Sequence, residues 1–490
     1  MSPGGSELAS FDLIIRGGRV VDPANGVDGV RDVGVRLGRV ESVAERLDGP
    51  RTARVIDAAG RVVMPGHIDT HAHLSSPGGN VDRAFGHVML AESGTTTALD
   101  LGGEPGNLAA GMKARGAGMN VACLLMLVPH KTVPEDDPRP AVIRDTVSSA
   151  LKRGAVGVKL IGGYHPFTPE ATADTISEAN AQQAWVAFHV GTKDTGSDLT
   201  GLREVPALVG GGRLHVAHVN SYTRGMVLPP DEECREAFSI LESKRGQLVS
   251  EAYLAQANGT NGKCDEDGNV VYNVAQNCLK ARGYPTTEKG MRQALLDGYG
   301  SALVEREGRI VLVTGEEAVR VWQAAKTDAG LSFPVNPASS AFTLATEKYP
   351  DGEFRVDAIS TDGGSLPRNV AIERTMALVA FEALSLPDAV KKLSWNPSRM
   401  LGLLNKGRFS QGADADVTVV DPATGRATMS LVAGKVIMKD GRSVADGGTW
   451  LVTGQGEAAA KASGLPYQVM DLGKSWLYGD PPLPGRERSG

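Results

Sequence analysis

Two histidines one residue apart, His71 and His73 in VMPGHIDTHAHL, are the densest chemistry in this 490-residue sequence. Residues two apart on a strand share a face, so both imidazoles would enter one cavity. Such a pair at the carboxyl end of a strand is a two-point grip for a metal ion. Ordinary hydrogen bonds can also satisfy two strand histidines, and the pair by itself leaves both readings open. His189 ends the apolar run WVAFHV, and His218 ends LHVAHV. A lone histidine in either place reads as a core residue bonded to backbone carbonyls; two at matching strand ends are harder to assign that way. His215, three residues before His218, falls on the other face of its strand and reads as structural.

Apolar runs of strand length must position these residues. After VMPGHIDTHAHL come TTTALDLGG, NVACLLMLVPH, AVGVKLIGG, AWVAFHVGT, LHVAHVNS, GQLVSEAYL and VDAISTDGG, with helical patterns such as RPAVIRDTVSSALKRG and EATADTISEANAQQ between them. Eight strands buried on both faces and mostly followed by helices predict an α/β fold, a closed (β/α)8 TIM barrel over residues 65–406. Short strands punctuated by Asp and Gly lie before the barrel (11–64) and after it (407–446). They predict a discontinuous β-sandwich assembled from the two ends of the chain. Residues 258–355 break the rhythm between the seventh and eighth strands with a hairpin-like ALVEREGRIVLV, an insertion placed to act as a lid. The Gly- and Pro-rich extension 447–490 reads as a segment wrapping the surface or an adjacent subunit of a homo-oligomer, a dimer or tetramer.

Composition narrows the partners. Hydrophobic residues are 41% and charged residues 22%, the balance of a soluble globular protein. The formal net charge of -6, with no basic stripe, points away from nucleic acid. No apolar run reaches a membrane span, and the start MSPGGSELAS lacks the basic and apolar regions of a signal peptide, so a cytoplasmic address without a membrane partner is expected. Cys123, Cys234, Cys264 and Cys278 are widely spaced without a CxxC pair, which indicates neither a zinc ribbon nor a disulfide framework.

VMPGHIDTHAHL resembles the first barrel strand of the amidohydrolase superfamily, especially its hydantoinase, dihydroorotase and D-aminoacylase branch. GRVVDP and GRVESV resemble that branch's opening strands, and NPSRMLGLLNKGRFSQGADADVTVVD resembles its return into the sandwich, so the likeness runs from Phe11 to Arg442. The resemblance implies two divalent metal ions, zinc first, with manganese, iron or cobalt as alternatives. Their ligands would be His71, His73, Lys159, His189, His218 and Asp362. Lys159, in GAVGVKLIGG, would bridge the metals as a carbamate made with carbon dioxide. An ammonium at the end of an apolar strand is costly to bury, whereas a neutral amine can take up the gas. The plainer reading is a lysine that snorkels to the barrel rim or pairs with a carboxylate.

Asp362, in VDAISTDGG, would by the same resemblance ligate a metal and carry a proton from activated water to the leaving nitrogen. Asp357 stands at the beginning of that strand and reads as a cap or turn residue. Tyr164 follows Lys159 at the spacing of a hydantoinase tyrosine that stabilises the oxyanion, and His165 could serve as well. Lys193, Arg224 and Arg368, on the loops after strands five, six and eight, could hold a substrate carboxylate; each taken singly reads as a solvated surface cation.

The implied activity is hydrolysis of a C–N bond in a small-molecule cyclic amide or imide, such as a hydantoin-like ring. A linear amidase, N-acyl amino acid deacylase or isopeptidase is the alternative enzyme. A hydantoinase-like scaffold without metals is the non-catalytic alternative, and the presence of every expected ligand argues against it. Gly363 and Gly364 stand where dihydroorotases tend to carry a histidine, HVGT lacks the acidic residue of the deaminases, and no cysteine replaces Lys159 as in D-aminoacylases. A cyclic amide remains the best fit.

Overall fold

The structure, a computed structural model, describes residues 11–48, 53–76 and 79–479. Eight strands close into a parallel barrel: His67–His73, Thr95–Gly103, Ala117–Met126, Gly157–Ile161, Trp185–His189, Leu214–Val216, Leu248–Tyr253, and an eighth split into Ala358–Ser360 and Gly363–Gly364. Ala358–Ser360 pairs with the seventh strand and Gly363–Gly364 with the first, so the ring closes across the break at Thr361 and Asp362. Helices such as Pro169–Ala181 and Leu199–Val209 return the chain between strands. Their starts are fixed locally: Thr168 accepts from the Ala171 amide and Asp198 from the Thr200 amide, satisfying donors that the first helical turn leaves open.

The period of two along each strand sorts the side chains. Val158, Leu160, Val186, Phe188, Leu248 and Ala252 pack outward in the layer shared with the helices. The alternate residues point inward, apolar at the base of the barrel (Leu124, Trp185, Ala187, Val249) and polar above it (Lys159, His189, Glu251).

The described part of the extension, 447–479, does not only wrap the surface but builds into the barrel. Gly447–Val452 pairs in parallel with the early part of the third strand, Trp450 opposite Val121. Leu451, Met470, Leu472 and Leu477 then join the apolar layer at the barrel base. Gly464, in left-handed backbone, ends the helix Glu457–Ser463 and turns the chain, and the isolated large apolar residues fill the barrel floor and take it out of water. Residues 480–490 of the extension lie outside the described residues.

Strands from both ends of the chain form one nine-stranded sheet, joined where Val62–Pro65 runs antiparallel to Val417–Val420. It folds over a shared core that includes Leu13, Val20, Val35, Phe409, Val417 and Leu431. This sheet also anchors the first barrel strand: the Gly66 amide donates to Asp416 O at 2.8 Å and the His67 amide to Thr418 Oγ1 at 3.1 Å.

Between the seventh and eighth strands, Ala257–Asn261, Ser301–Arg306, Arg309–Val313 and Gly330–Pro334 make a four-stranded antiparallel sheet. With its helices it has its own core, including Leu279, Met291, Trp322 and Phe333. Asn80, on the loop after the first barrel strand, locks onto this insertion, donating to Leu303 O at 2.7 Å and accepting from the Gly330 amide at 3.0 Å. No helix among the described residues is long and apolar enough to cross a membrane.

Candidate metal centre

A cleft of about 260 Å³ opens at the carboxyl ends of the barrel strands and gathers His71, His73, Lys159, His189, His218 and Asp362. A register shift between Asp69 and Ala72 re-aims the end of the first strand, bringing the rings of His71 and His73 to 5.2 Å between centroids. Asp362 Oδ1 lies 3.2 Å from His71 Nε2 and 2.9 Å from His73 Nε2. On the other side, His218 Nε2 lies 3.0 Å from His189 Nδ1, and His189 Nε2 meets Ser197 Oγ at 2.8 Å. Ligand atoms of His71, His218 and Asp362 fall within 4.8 Å of one another, close enough to hold a metal ion.

Two of these residues owe their placement to unusual backbone. His218 has φ of 36° and Asp362 has φ of 47°, left-handed values that side-chain-bearing residues rarely adopt. Strict alternation would point 215 and 217 inward and 218 outward. The kink at His218 returns its ring to the cleft. His215 therefore does not take the other face of its strand, as expected from its spacing to His218, but also faces inward, below the site. Its Nδ1 accepts from Trp185 Nε1 at 3.3 Å, and its Nε2 stands 3.7 Å from Glu251 Oε1.

Burial sets the protonation states. It holds His71, His189 and His218 well below the ordinary imidazole value, helped by Lys159 for the first two and by His189 for the third. All three are thus neutral, as metal ligands must be. Burial also lowers Lys159 to about 8, against the opposing pull of Glu251 and Asp362. For Asp362 burial pushes upward, but the Arg368 guanidinium and then the imidazoles prevail and hold the carboxyl well below its ordinary value.

The donor set fits metal ions. His71 Nδ1 is committed to Glu251 Oε1 at 2.7 Å, so in the neutral ring the proton sits there and Nε2 is a bare lone pair. That lone pair faces the anionic Asp362 Oδ1, an arrangement that is repulsive unless a cation joins the two. Lys159 Nζ is buried and has no hydrogen-bond partner among the described residues, an amine left open to a further group.

Several surrounding residues were not legible as site residues. Glu251, inside GQLVSEAYL, is fully buried; its Oε1 takes both the His71 ring and the His218 amide, the latter at 2.6 Å, and its Oε2 accepts from Ser360. The available signal was an acid in an apolar run at the inward parity of its strand. Arg368 is not solvated: its Nη2 meets Asp362 Oδ2 at 2.7 Å, its Nε donates to Asp362 O at 2.5 Å, and it is buried against the Tyr253 ring. Arg224 is half-buried and lines the cleft. Lys193 pairs with Asp137 at the surface. Asp357, at the start of the eighth strand, accepts from the Ser250 amide at 2.9 Å, a structural role.

Tyr164 and His165 line the cleft. Burial raises the Tyr164 phenol, which stays neutral and donates to Gly259 O of the insertion at 3.1 Å. His165 stands 5.9 Å from the Tyr272 ring, also of the insertion, and half-burial lowers its pKa, with Lys131 and Lys263 assisting.

Comparison with known proteins agrees with this architecture. A dihydroorotase of Anaeromyxobacter dehalogenans (strain 2CP-C) is 27% identical, over 88% of this chain and 99% of the relative. The structure of N-acyl-D-glutamate deacylase from Bordetella bronchiseptica, complexed with zinc and a phosphonate inhibitor, superposes with a TM-score of 0.65 at 18% identity, over 94% of this chain and 99% of that one. Dihydropyrimidinase from Brevibacillus agri NCHU1002 superposes with a TM-score of 0.56 at 16% identity, over 89% and 97%. The amidohydrolase family model matches residues 62–445, from the last strand before the barrel to the end of the returning sheet. With the barrel and the residues at its mouth all inside that match, the chain belongs to the amidohydrolase family, hydrolases of carbon–nitrogen bonds.

Proposed function

We propose that this amidohydrolase opens a C–N bond in a cyclic amide or imide. His71, His73 and Asp362 would hold one divalent metal, His189 and His218 the other, and Lys159, as its carbamate, would bridge them. Zinc is the first expectation. The observation that carries the reading is the bare His71 Nε2 facing the anionic Asp362 Oδ1 at 3.2 Å. The likeness to a dihydroorotase and a dihydropyrimidinase supports a ring substrate.

Metals bound there would acidify a water molecule and polarise the scissile carbonyl. Asp362, kept anionic by Arg368 and the imidazoles, accepts a proton from the attacking water and returns it to the leaving nitrogen. Tyr164, neutral and already a donor, turns its hydroxyl from Gly259 O towards the developing oxyanion, with His165 beside it. Glu251 holds the ring of His71 so that Nε2 points into the cleft.

The test is elemental analysis of protein grown with ample zinc and bicarbonate, together with a panel of cyclic and linear amides followed by loss of ring absorbance. Near two equivalents of metal and turnover of a ring substrate are expected. Less than one equivalent, or turnover of linear amides alone, would overturn the reading.

A further inference from the structure

The cleft has more positive than negative charge in its lining. Apart from Lys159, which the proposed function makes an anionic carbamate, Arg83, Lys131, Arg224 and Arg368 stand against Asp328 and Asp362. The three arginines are placed very differently. Arg368 is committed to Asp362. Arg83 donates to Ser365 Oγ at 3.3 Å, a long contact, and its buried Nε has no partner among the described residues.

Arg224 is fixed more firmly, and only by neutral groups. Its Nε donates to Asn336 Oδ1 at 2.8 Å, and its Nη2 donates to Ser221 Oγ at 3.0 Å and Tyr253 Oη at 3.2 Å. Those acceptors are themselves buried and tied together. Asn336 Nδ2 donates to Tyr253 Oη at 3.1 Å and to Ala255 O at 3.0 Å, and Tyr253 Oη donates to Asn258 Oδ1 at 3.4 Å. No carboxylate among the described residues lies within ion-pair reach of Arg224, and its Nη1 makes no hydrogen bond there. The network is thus an orienting frame that leaves the charge uncompensated. A half-buried guanidinium held this way costs free energy unless an anion completes it. The planar fork suits a carboxylate.

We propose that Arg224 is the anchor for a carboxylate on the substrate, so that the cleft selects amides bearing that group over neutral amides of equal shape. This rests on the cleft being the amide-hydrolysing site described above. It names both a specificity residue and a substrate class: a ring or chain amide with an anionic substituent directed to the loop after the sixth strand.

The experiment uses the zinc-loaded full chain and a matched pair of probes, hydantoin-5-acetic acid and hydantoin-5-acetamide. Both kcat/KM and calorimetric Kd are measured for wild type, Arg224→Gln, Arg224→Lys and Arg83→Gln. A charge-assisted bond in a partly dry site is worth roughly tenfold to hundredfold. Wild type should prefer the acid by about that factor, Arg224→Gln should bring the ratio near one, and Arg224→Lys should keep part of it. Retention of the preference in Arg83→Gln is also expected. Binding separates the two readings. If neither probe turns over but the acid still binds better, and only with Arg224 intact, the ring-opening proposal fails and the anchor stands. Equal binding of acid and amide by wild type, binding of neither, a full preference in the soluble Arg224 variants, or a preference lost only in Arg83→Gln, overturns the assignment.

Discussion

Glu251 accepts the Nδ1 proton of His71 at 2.7 Å from the floor of the cleft, joining the seventh strand to the first beneath the candidate metal centre. This contact fixes the tautomer of His71. The same carboxylate oxygen takes the His218 amide at 2.6 Å, so one buried acid orients residues proposed for both metals. Orienting partners of this kind are typically worth about 10–100-fold in metal affinity. Glu251→Ala should weaken zinc binding by roughly that factor, read by competition with a chromophoric chelator. Unchanged affinity would mean that His71 is held by its packing alone.

Lys159 tests the bridge. Lys159→Ala should lose one metal equivalent and most activity while keeping its circular dichroism spectrum, and added acetate or propionate should partly restore both by standing in for the carbamate. Full activity in Lys159→Ala would rule out a bridging lysine.

Asp362→Asn tests proton transfer. Asparagine keeps the shape and one coordinating oxygen but cannot carry the proton, so kcat should fall by about 10²–10⁴ with a smaller change in KM. Metal content measured on the same sample separates a lost ion from a lost proton carrier. Near-normal kcat with both metals retained would move the role to Tyr164 or His165.

Lys392, which is not among the residues lining the cleft, supplies a separate pH dependence. Burial lowers it from 10.5 to about 7, against the pull of Asp357 and Asp388, while its Nζ donates to Ala345 O at 2.8 Å and Leu344 O at 3.2 Å. Between about pH 7 and 10.5 the unfolded chain therefore carries one proton more at this residue than the folded one. Stability from this group rises with pH through that window and is lowest below pH 7. In urea unfolding, the stability of wild type relative to Lys392→Met should rise as pH increases from about 7 towards 10. A difference constant with pH would show that Lys392 stays charged in the fold.

Leu477 tests the barrel floor. It is fully buried among Leu451, Met470 and Leu472, so Leu477→Ala should cost about 2–5 kcal/mol of stability. KM should stay at the wild-type value, because the lesion lies at the opposite end of the barrel from the cleft. A stability change under about 0.5 kcal/mol would mean that the floor seals without this segment.

The parts of the site that follow strand periodicity were legible in the sequence. His71 and His73 share a face because they are two apart. Lys159 and His189 sit at inward parity near the ends of their strands. The order of eight apolar runs set the barrel, and resemblance supplied Asp362. All of this is short-range information, carried by a repeat of two along each strand and by alternation with helices.

Tertiary structure decided what depends on residues far apart in the chain or on local breaks in the repeat. The left-handed backbone at His218 overrides the alternation that put His215 on the wrong face. Arg368 reads as a surface cation until the loop after the eighth strand folds it onto Asp362. Glu251 gains its meaning only when barrel closure sets the seventh strand beneath His71, 180 residues earlier. The extension fills the barrel floor because that floor, assembled from several strands, exists only in the closed ring. A sequence records which side chain each position offers, but the cost of burying a charge or an apolar surface depends on what closes around it, and only the folded chain sets that.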